Sequence, residues 1–352
     1  MIQALPLQIA AIVLADFDAN VCFNILPVLF CCLTTILGSF YLYNNINLFQ
    51  EIWSRLVSDW LTERNVEETK IKEKNARFVM RFINLIIAVM IVGIIMYVIT
   101  FTFLSQILDF VIPLNETRLH IYPLAEVALL DTKDQKYFYL NIFQFHITMI
   151  VYILFGLTNF LNSFTISTQI SGMFEVLNYR LENTIPCEKL SFDISRRKEM
   201  DALYEKSLRL SFRRHQSVIE FGNLARQYMI PLFTMSLTAI LLTTILSLYQ
   251  LTDSKLSKIN PIVQLVISIS FIFIICSIGQ KIIDLSSLVG QKVYSGEWYY
   301  CSPRIQKMII LIMRRCDSPC KFDAYNIFVA SLECFLTVMQ ASFSYCMAMK
   351  NF

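Results

Sequence analysis

Long uninterrupted apolar runs, separated by polar stretches that hold most of the charge, dominate the pattern along this chain. Six runs, near 21–43, 82–105, 138–162, 228–250, 261–283 and 324–348, are each long enough as a helix to cross a hydrocarbon layer of about 30 Å. A single soluble core does not need such runs, so the pattern predicts membrane-spanning helices. A seventh run, 4–15, is short, and twelve helical residues reach only about 18 Å. It reads as the end of a span whose beginning is missing or unusually short. No Lys or Arg precedes it, and Ala15-Asp16-Phe17-Asp18 is a poor cleavage context, so it does not read as a signal peptide. The polar connections read as helical extensions of the spans. From Asn178 to Arg226 there is one Pro (Pro186) and one Gly (Gly222), and Ile194–Ile219 mixes apolar and charged residues at helical spacing.

Composition agrees with this pattern. The 352 residues are 56% hydrophobic and 16% charged, with a mean hydropathy of +0.54, whereas a soluble domain carries about 25% charged residues. Only eight Gly and a scatter of cysteines exclude collagenous and disulfide-framework classes. A net charge of +3 is too small to suggest nucleic acid as a partner.

What matters is where the charges lie. Residues 44–81, 163–226 and 279–323 hold 24 of the 30 Lys and Arg, and the alternate connections hold the other six. Positive loops stay in the cytoplasm, so the three rich connections define that face. The expected topology is then inverted, with the N-terminus inside and the C-terminus outside. Asn115-Glu116-Thr117, a glycosylation sequon, falls in the long extracellular connection and agrees with this orientation.

Catalytic and metal chemistry is not expected. The three His (His120, His146, His215) fall on different segments, and Cys316 and Cys320 have no second half at zinc spacing. No hydrolase or kinase signature occurs, so no enzyme and no cofactor is predicted. The polar and aromatic groups inside the spans are the informative ones, because they are costly in lipid and belong in the bundle interior. His146, with Phe145, Met149 and Tyr152, faces Met96, Tyr97, Thr100 and Phe101 of the preceding long span, while Gln264, Ser268 and Phe271 come from 261–283. Together they are the candidate lining of an apolar cavity for a small, mostly hydrophobic ligand.

The C-terminal third carries a specific pattern. Tyr294-Ser295-Gly296-Glu297-Trp298-Tyr299, Pro303-Arg304-Ile305-Gln306-Lys307, Ile312 to Pro319 and Ser342-Phe343-Ser344-Tyr345 together resemble the insect odorant receptors. Upstream, Arg214-His215-Gln216 and Phe174-Glu175-Val176-Leu177 are similar to the same family's cytoplasmic helices. The resemblance implies an all-α membrane protein, a seven-helix bundle of inverted topology forming one transmembrane domain over 1–352, here with its first span truncated. It also implies an odorant-gated cation channel formed with the shared olfactory co-receptor as a heterotetramer in the plasma membrane of olfactory sensory neurons. The helices around 163–226 and 287–323 would then anchor the subunits inside the cell. The last span would line the pore, with Ala348, Asn351 and Phe352 by the gate and Lys350 a departure from an apolar gate segment. A gustatory-receptor-like channel subunit is the alternative, although that family's last span typically ends in a different pattern from Ser344-Tyr345. A transducer-coupled receptor, with its C-terminus inside, is a more distant one.

Overall fold

A computed structural model describes residues 19–62, 65–111, 135–184, 194–252, 259–296, 298–324 and 328–350. In chain order these form α1 (Ala19–Asn44), α2 (Ile46–Leu61), α3 (Val66–Val111), α4 (Gln135–Thr184), α5 (Ile194–Thr252) and α6 (Ile259–Ser295). A 3-10 turn (Trp298–Tyr300), α7 (Pro303–Cys316), two short strands β1 (Asp323–Ala324) and β2 (Phe328–Val329), and α8 (Leu332–Lys350) complete them.

Several helices are longer than any bilayer requires. The 59 residues of α5 extend about 90 Å at 1.5 Å per residue, roughly three hydrocarbon layers. The apolar run 228–250 is therefore one part of a helix whose other part is amphipathic. Among the described residues three helices are long and apolar enough to cross a membrane, and a fourth if the bent pair α1–α2 counts as one. On α3 only 6% of the apolar window is buried. Leu85, Val89, Val92, Ile95 and Met96 point outward from it, a surface suited to lipid rather than water.

Packing is asymmetric along the bundle. α4 packs against α3, α5 and α6, while α1 leans on α5, and α8 on α5 and α6. The largest buried cluster joins Ile52 and Leu56 of α2, Ile170, Phe174 and Leu177 of α4, and Leu208 and Val218 of α5. To these it adds Val289 and Val293 of α6 and Ile305, Ile309 and Ile312 of α7. On α5 the stripe runs on through Phe221, Ala225 and Tyr228, and on each helix such three- or four-residue spacing gives one apolar stripe. The residues of the cluster lie mostly in the charge-rich parts of the chain, so the tightest core is at the polar end of the bundle.

Two local devices shape the entry to this core. The chain bends by 75° between α1 and α2. Asn45 at the corner donates both its backbone N–H, at 3.0 Å, and its Nδ2–H, at 2.9 Å, to the Tyr41 carbonyl, which ties the corner to the last turn of α1. Pro231 inside α5 has no N–H for the Gln227 carbonyl one turn earlier. The Tyr41 hydroxyl of α1 donates to that oxygen at 3.3 Å, so the proline break becomes an α1–α5 contact.

The polar end also buries charge. Asp59 of α2 pairs through its two oxygens with Lys72 of α3 and Arg214 of α5. Arg180 of α4 forks onto both oxygens of Glu68 at 2.6 Å, a geometry that fits a carboxylate well. Three cations on two carboxylates is a costly ratio away from water. Burial, with the Arg214 and Arg180 guanidinium groups, pulls the Lys72 amine down to about 7. His215, next to Arg214 in the chain, is also buried, and burial followed by the positive charge of Arg315 lowers its pKa to about 4.

The last span differs from its expected start. The apolar run was placed from residue 324, but the helix begins at Leu332. Before it, Asp323 pairs with Val329 and Ala324 with Phe328 as antiparallel strands. Asp323 also meets Arg226 of α5 at 2.5 Å, and the Ala330 N–H donates to the Phe322 carbonyl at 2.8 Å. An apolar sequence does not by itself reveal that its first residues are taken up by a hairpin.

Two outcomes follow from the buried charges. Asp59→Ala strands Lys72 and Arg214, and breaking such a pair costs about 3–5 kcal/mol. Glu51→Ala, whose partner Arg55 is exposed, costs under about 1 kcal/mol. Thermal unfolding of the detergent-solubilised protein should separate the two, and equal shifts would refute a structural role for the Asp59 pairs. For His215 the folded pKa lies below the unfolded value of 6.5. Its contribution is therefore complete above pH 6.5 and is lost as pH falls toward about 4. His215→Gln should flatten the stability profile in that window, and an unchanged slope would contradict it.

Candidate functional site

Next to the polar-end core, α1, α4, α5 and α6 line a half-open cavity of about 690 Å³. Each helix contributes a stripe at helical spacing. α4 supplies Gly156, Phe160, Ser163 and Ser167, and α5 supplies Met229, Phe233, Ser236, Ile240 and Thr243. α6 supplies Gln264, Ser268, Phe271, Ile275 and Ile278, and α1 supplies Cys31, Thr34, Thr35 and Gly38. Small residues keep the space open. A Cβ at Gly38 would stand 3.6 Å from Asn159 Nδ2 and from a Leu232 methyl, so a larger side chain there would extend into the cavity.

One wall is aromatic. Phe160 meets Phe271 with ring centroids 4.6 Å apart, and behind it Phe164 stacks on Phe82 of α3 at 4.1 Å. The polar groups divide into two sets. The hydroxyls of Thr34, Thr35 and Thr243 donate to carbonyls of their own helices at 2.8–3.0 Å, and Ser167 donates to the Met229 sulfur at 3.7 Å. Among the described residues, the side chains of Asn159, Ser163, Ser236, Gln264 and Ser268 make no such internal bond and are available to a ligand. No ionisable acid or base lines the space apart from the Cys31 thiol. An uncharged, mostly apolar hollow of this size with a few hydrogen-bonding groups suits a small neutral molecule.

The sequence-predicted lining is only partly assembled. Gln264, Ser268 and Phe271 line the cavity. Met96 is 58% exposed on the outside of α3, and His146 is buried on α4 but outside the cavity lining. The side chains of Tyr97, Thr100, Phe101, Phe145, Met149 and Tyr152 lie outside the described residues, as do Asn115, Asn351 and Phe352. Ala348 is exposed near the end of α8. Sequence reasoning missed α1 and α5 altogether, although the 229, 233, 236, 240, 243 spacing of small polar and large apolar residues on α5 was a readable signal. Among the described residues no cluster of His, Cys, Asp or Glu could hold a metal, and eight cysteines are free.

The family model for the seven-transmembrane odorant receptors ("7tm Odorant receptor") matches residues 19–343. The chain belongs to the odorant receptor family. Similar curated proteins include Odorant receptor 22c of Drosophila melanogaster, 30% identical over 157 residues, or 44% of this chain and 39% of that one. The Odorant receptor coreceptor of Aedes aegypti is 25% identical over 158 residues, or 43% of this chain and 32% of that one. The chain thus spans about two fifths or less of the length of these relatives. The structure of the insect olfactory receptor OR5 from Machilis hrabei in complex with eugenol shares the fold. Its TM-score is 0.76 at 13% identity, and the match covers 99% of this chain and 86% of that one. This odorant receptor is therefore a predominantly helical, multi-pass membrane protein of the insect olfactory receptor fold. Its family is one of receptors rather than enzymes.

If Asn159 and Gln264 serve ligands as donors, replacing either with Leu should weaken binding of an alcohol or phenol about tenfold. Such a loss corresponds to one net hydrogen bond of about 1.4 kcal/mol. A hydrocarbon of similar size should be nearly unaffected. Concentration–response curves for such a pair of ligands test this, and parallel losses for both would contradict it.

Proposed function

We propose that this odorant receptor binds a small, volatile, mostly hydrophobic ligand in the cavity between α1, α4, α5 and α6. Ligand binding then gates a cation channel formed with the olfactory co-receptor. The observation that carries this reading is the uncharged cavity of about 690 Å³ with Gln264, Ser268 and Phe271 on its α6 side. A charged transported substrate would need counter-charges that this lining does not offer.

The same helix offers a route from ligand to gate. At about 100° per residue, the cavity stripe of α6 (264, 268, 271, 275, 278) lies roughly a quarter turn from the stripe that meets α8 through Ile272 and Cys276. A ligand wedged against the first stripe therefore displaces the second. In the proposed mechanism the last helices splay, and the ligand binds that open state more tightly than the closed one. Equal affinity for both states would open nothing, and a shift from mostly closed to mostly open needs about a 10⁴-fold difference.

The rest of the assignment follows the family reading. The charge-rich end would face the cytoplasm, where the helices of 163–226 and 287–323 anchor neighbouring subunits in a heterotetramer surrounded by lipid. Ala348, Asn351 and Phe352 would sit by the gate, with Asn115 glycosylated outside. The setting would be the plasma membrane of olfactory sensory neurons.

Expression with and without an insect co-receptor, with currents recorded against an odorant panel, tests the proposal. Cation current that needs both subunits and is independent of cytosolic nucleotide is expected. Surface-delivered receptor that instead signals only through added nucleotide, with an epitope at its C-terminus hidden from the outside of intact cells, would overturn it.

A further inference from the structure

Beyond the cavity, the contact between α6 and α8 is unusually close. A Cβ placed on Gly279 would lie 2.1 Å from the Ala330 carbonyl oxygen and 2.8 Å from its carbonyl carbon. No side chain fits there, so glycine lets the segment before α8 press directly onto α6. From this point the two helices continue as an antiparallel seam. Cys276 and Ile272 of α6 pack with Cys334 and Val338 of α8 in one buried cluster, and Phe273 meets Phe335 edge-on at 5.5 Å. Residue numbers fall along α6 as they rise along α8, so Gly279–Ala330, Cys276–Cys334 and Ile272–Val338 are successive rungs.

The middle rung is a pair of thiols. Cys276 and Cys334 are 0% and 5% exposed, and their sulfurs lie against each other in the same buried cluster. The Cys276 sulfur also lies against the backbone amides of Ser331, just before α8, and of Phe335, in its first turn. Both cysteines are free. The close backbone contact one turn away keeps the two helices near each other at this rung.

We propose that Cys276 and Cys334 are a modification site, a pair that closes reversibly into a disulfide under peroxide and fastens α8 to α6. The chemistry balances with hydrogen peroxide as oxidant. Cys334 sulfur attacks one peroxide oxygen, forming a sulfenic acid and releasing water. Cys276 sulfur then attacks the sulfenic sulfur, forming the S–S bond and expelling a second water. Two electrons pass from the two thiols to the peroxide, and a dithiol reductant reverses the step. Because opening in the proposed mechanism moves α8 against α6 at this rung, the bond holds the subunit closed. That consequence rests on the gating proposed above, whereas formation of the bond does not.

The experiment uses the full chain with the co-receptor in cell membranes. After peroxide treatment and alkylation of remaining thiols, peptide mass spectrometry should show Cys276 linked to Cys334, and dithiothreitol should remove the link. Odorant-evoked current should fall severalfold and recover with dithiothreitol. Cys276→Ser and Cys334→Ser, both delivered to the surface, should keep their current under peroxide. Oxidation of other cysteines without the linked peptide would overturn the site. A linked peptide with unchanged current would overturn its action as a latch. The peptide is scored without any current, so a failure of the channel reading leaves the chemical result legible.

Discussion

The helices around the cavity are gripped at one end by a shared apolar core, and the rest of the architecture depends on that grip. α4, α5 and α6 reach it through Phe174, Leu177, Leu208, Val218, Val289 and Val293, while α2 carries α1 to it through Ile52 and Leu56. Lipid gives apolar helices little reason to associate, because hydrocarbon is as apolar as leucine. Water at the polar end does give a reason, since there the same kind of stripe gains the full hydrophobic driving force. Helices running far beyond a bilayer's thickness convert aqueous burial into alignment of their membrane portions. The spans themselves can then stay loosely packed, which leaves room for a cavity of about 690 Å³.

The buried charges make this grip specific as well as strong. An apolar stripe alone tolerates a slide of one turn, since i and i+4 positions are equivalent on a helix. Asp59 between Lys72 and Arg214, and Glu68 under the Arg180 fork, do not tolerate it, because a slide strands a charge away from water. Buried ion pairs often add little net stability. Their use here is in registering α2, α3, α4 and α5 against one another, so that the stripes facing the cavity meet at the same level.

Much of this was legible in the sequence, and the losses have physical causes. The apolar runs and the one Pro and one Gly between Asn178 and Arg226 pointed to long continuous helices, as α4 and α5 show over their described lengths. The family pattern in 294–319 and 342–345 pointed to the fold that the structural likeness shows. The cavity was harder to read. Met96 looked like lining because a large flexible side chain near aromatics fits a pocket, yet in a membrane protein the same residue suits a lipid-facing surface equally well. The hydrophobic pattern of α3 gives no inward face to distinguish the two. Gln264, Ser268 and Phe271 were found because polar groups in a span have few other places to go. Ser163, Ser236 and Asn159 have that character too, but small polar residues are as common at helix–helix contacts in membranes, so they do not by themselves mark a cavity. The hairpin before α8 had no such signal, since Phe328 and Val329 are as apolar as the helix that follows.

In the proposed mechanism, α6 is the element on which recognition and response meet. Its stripe through Ser268, Phe271 and Ile275 borders the cavity, a neighbouring stripe through Ile272, Cys276 and Gly279 holds α8, and its far end through Val289 and Val293 is fixed in the core. A rod clamped at one end answers a push along its length by tilting about the clamp. The displacement is largest near Gln264, farthest from the core, and smallest near Gly279. Contacts far from the clamp, such as Ile272–Val338, would therefore loosen before the Gly279–Ala330 contact does. In the proposed gating, α8 would then pivot from its base instead of detaching from α6. A glycine that admits a backbone carbonyl suits the base of such a pivot: the contact is close, carries no interlocking side chain, and permits rotation without separation.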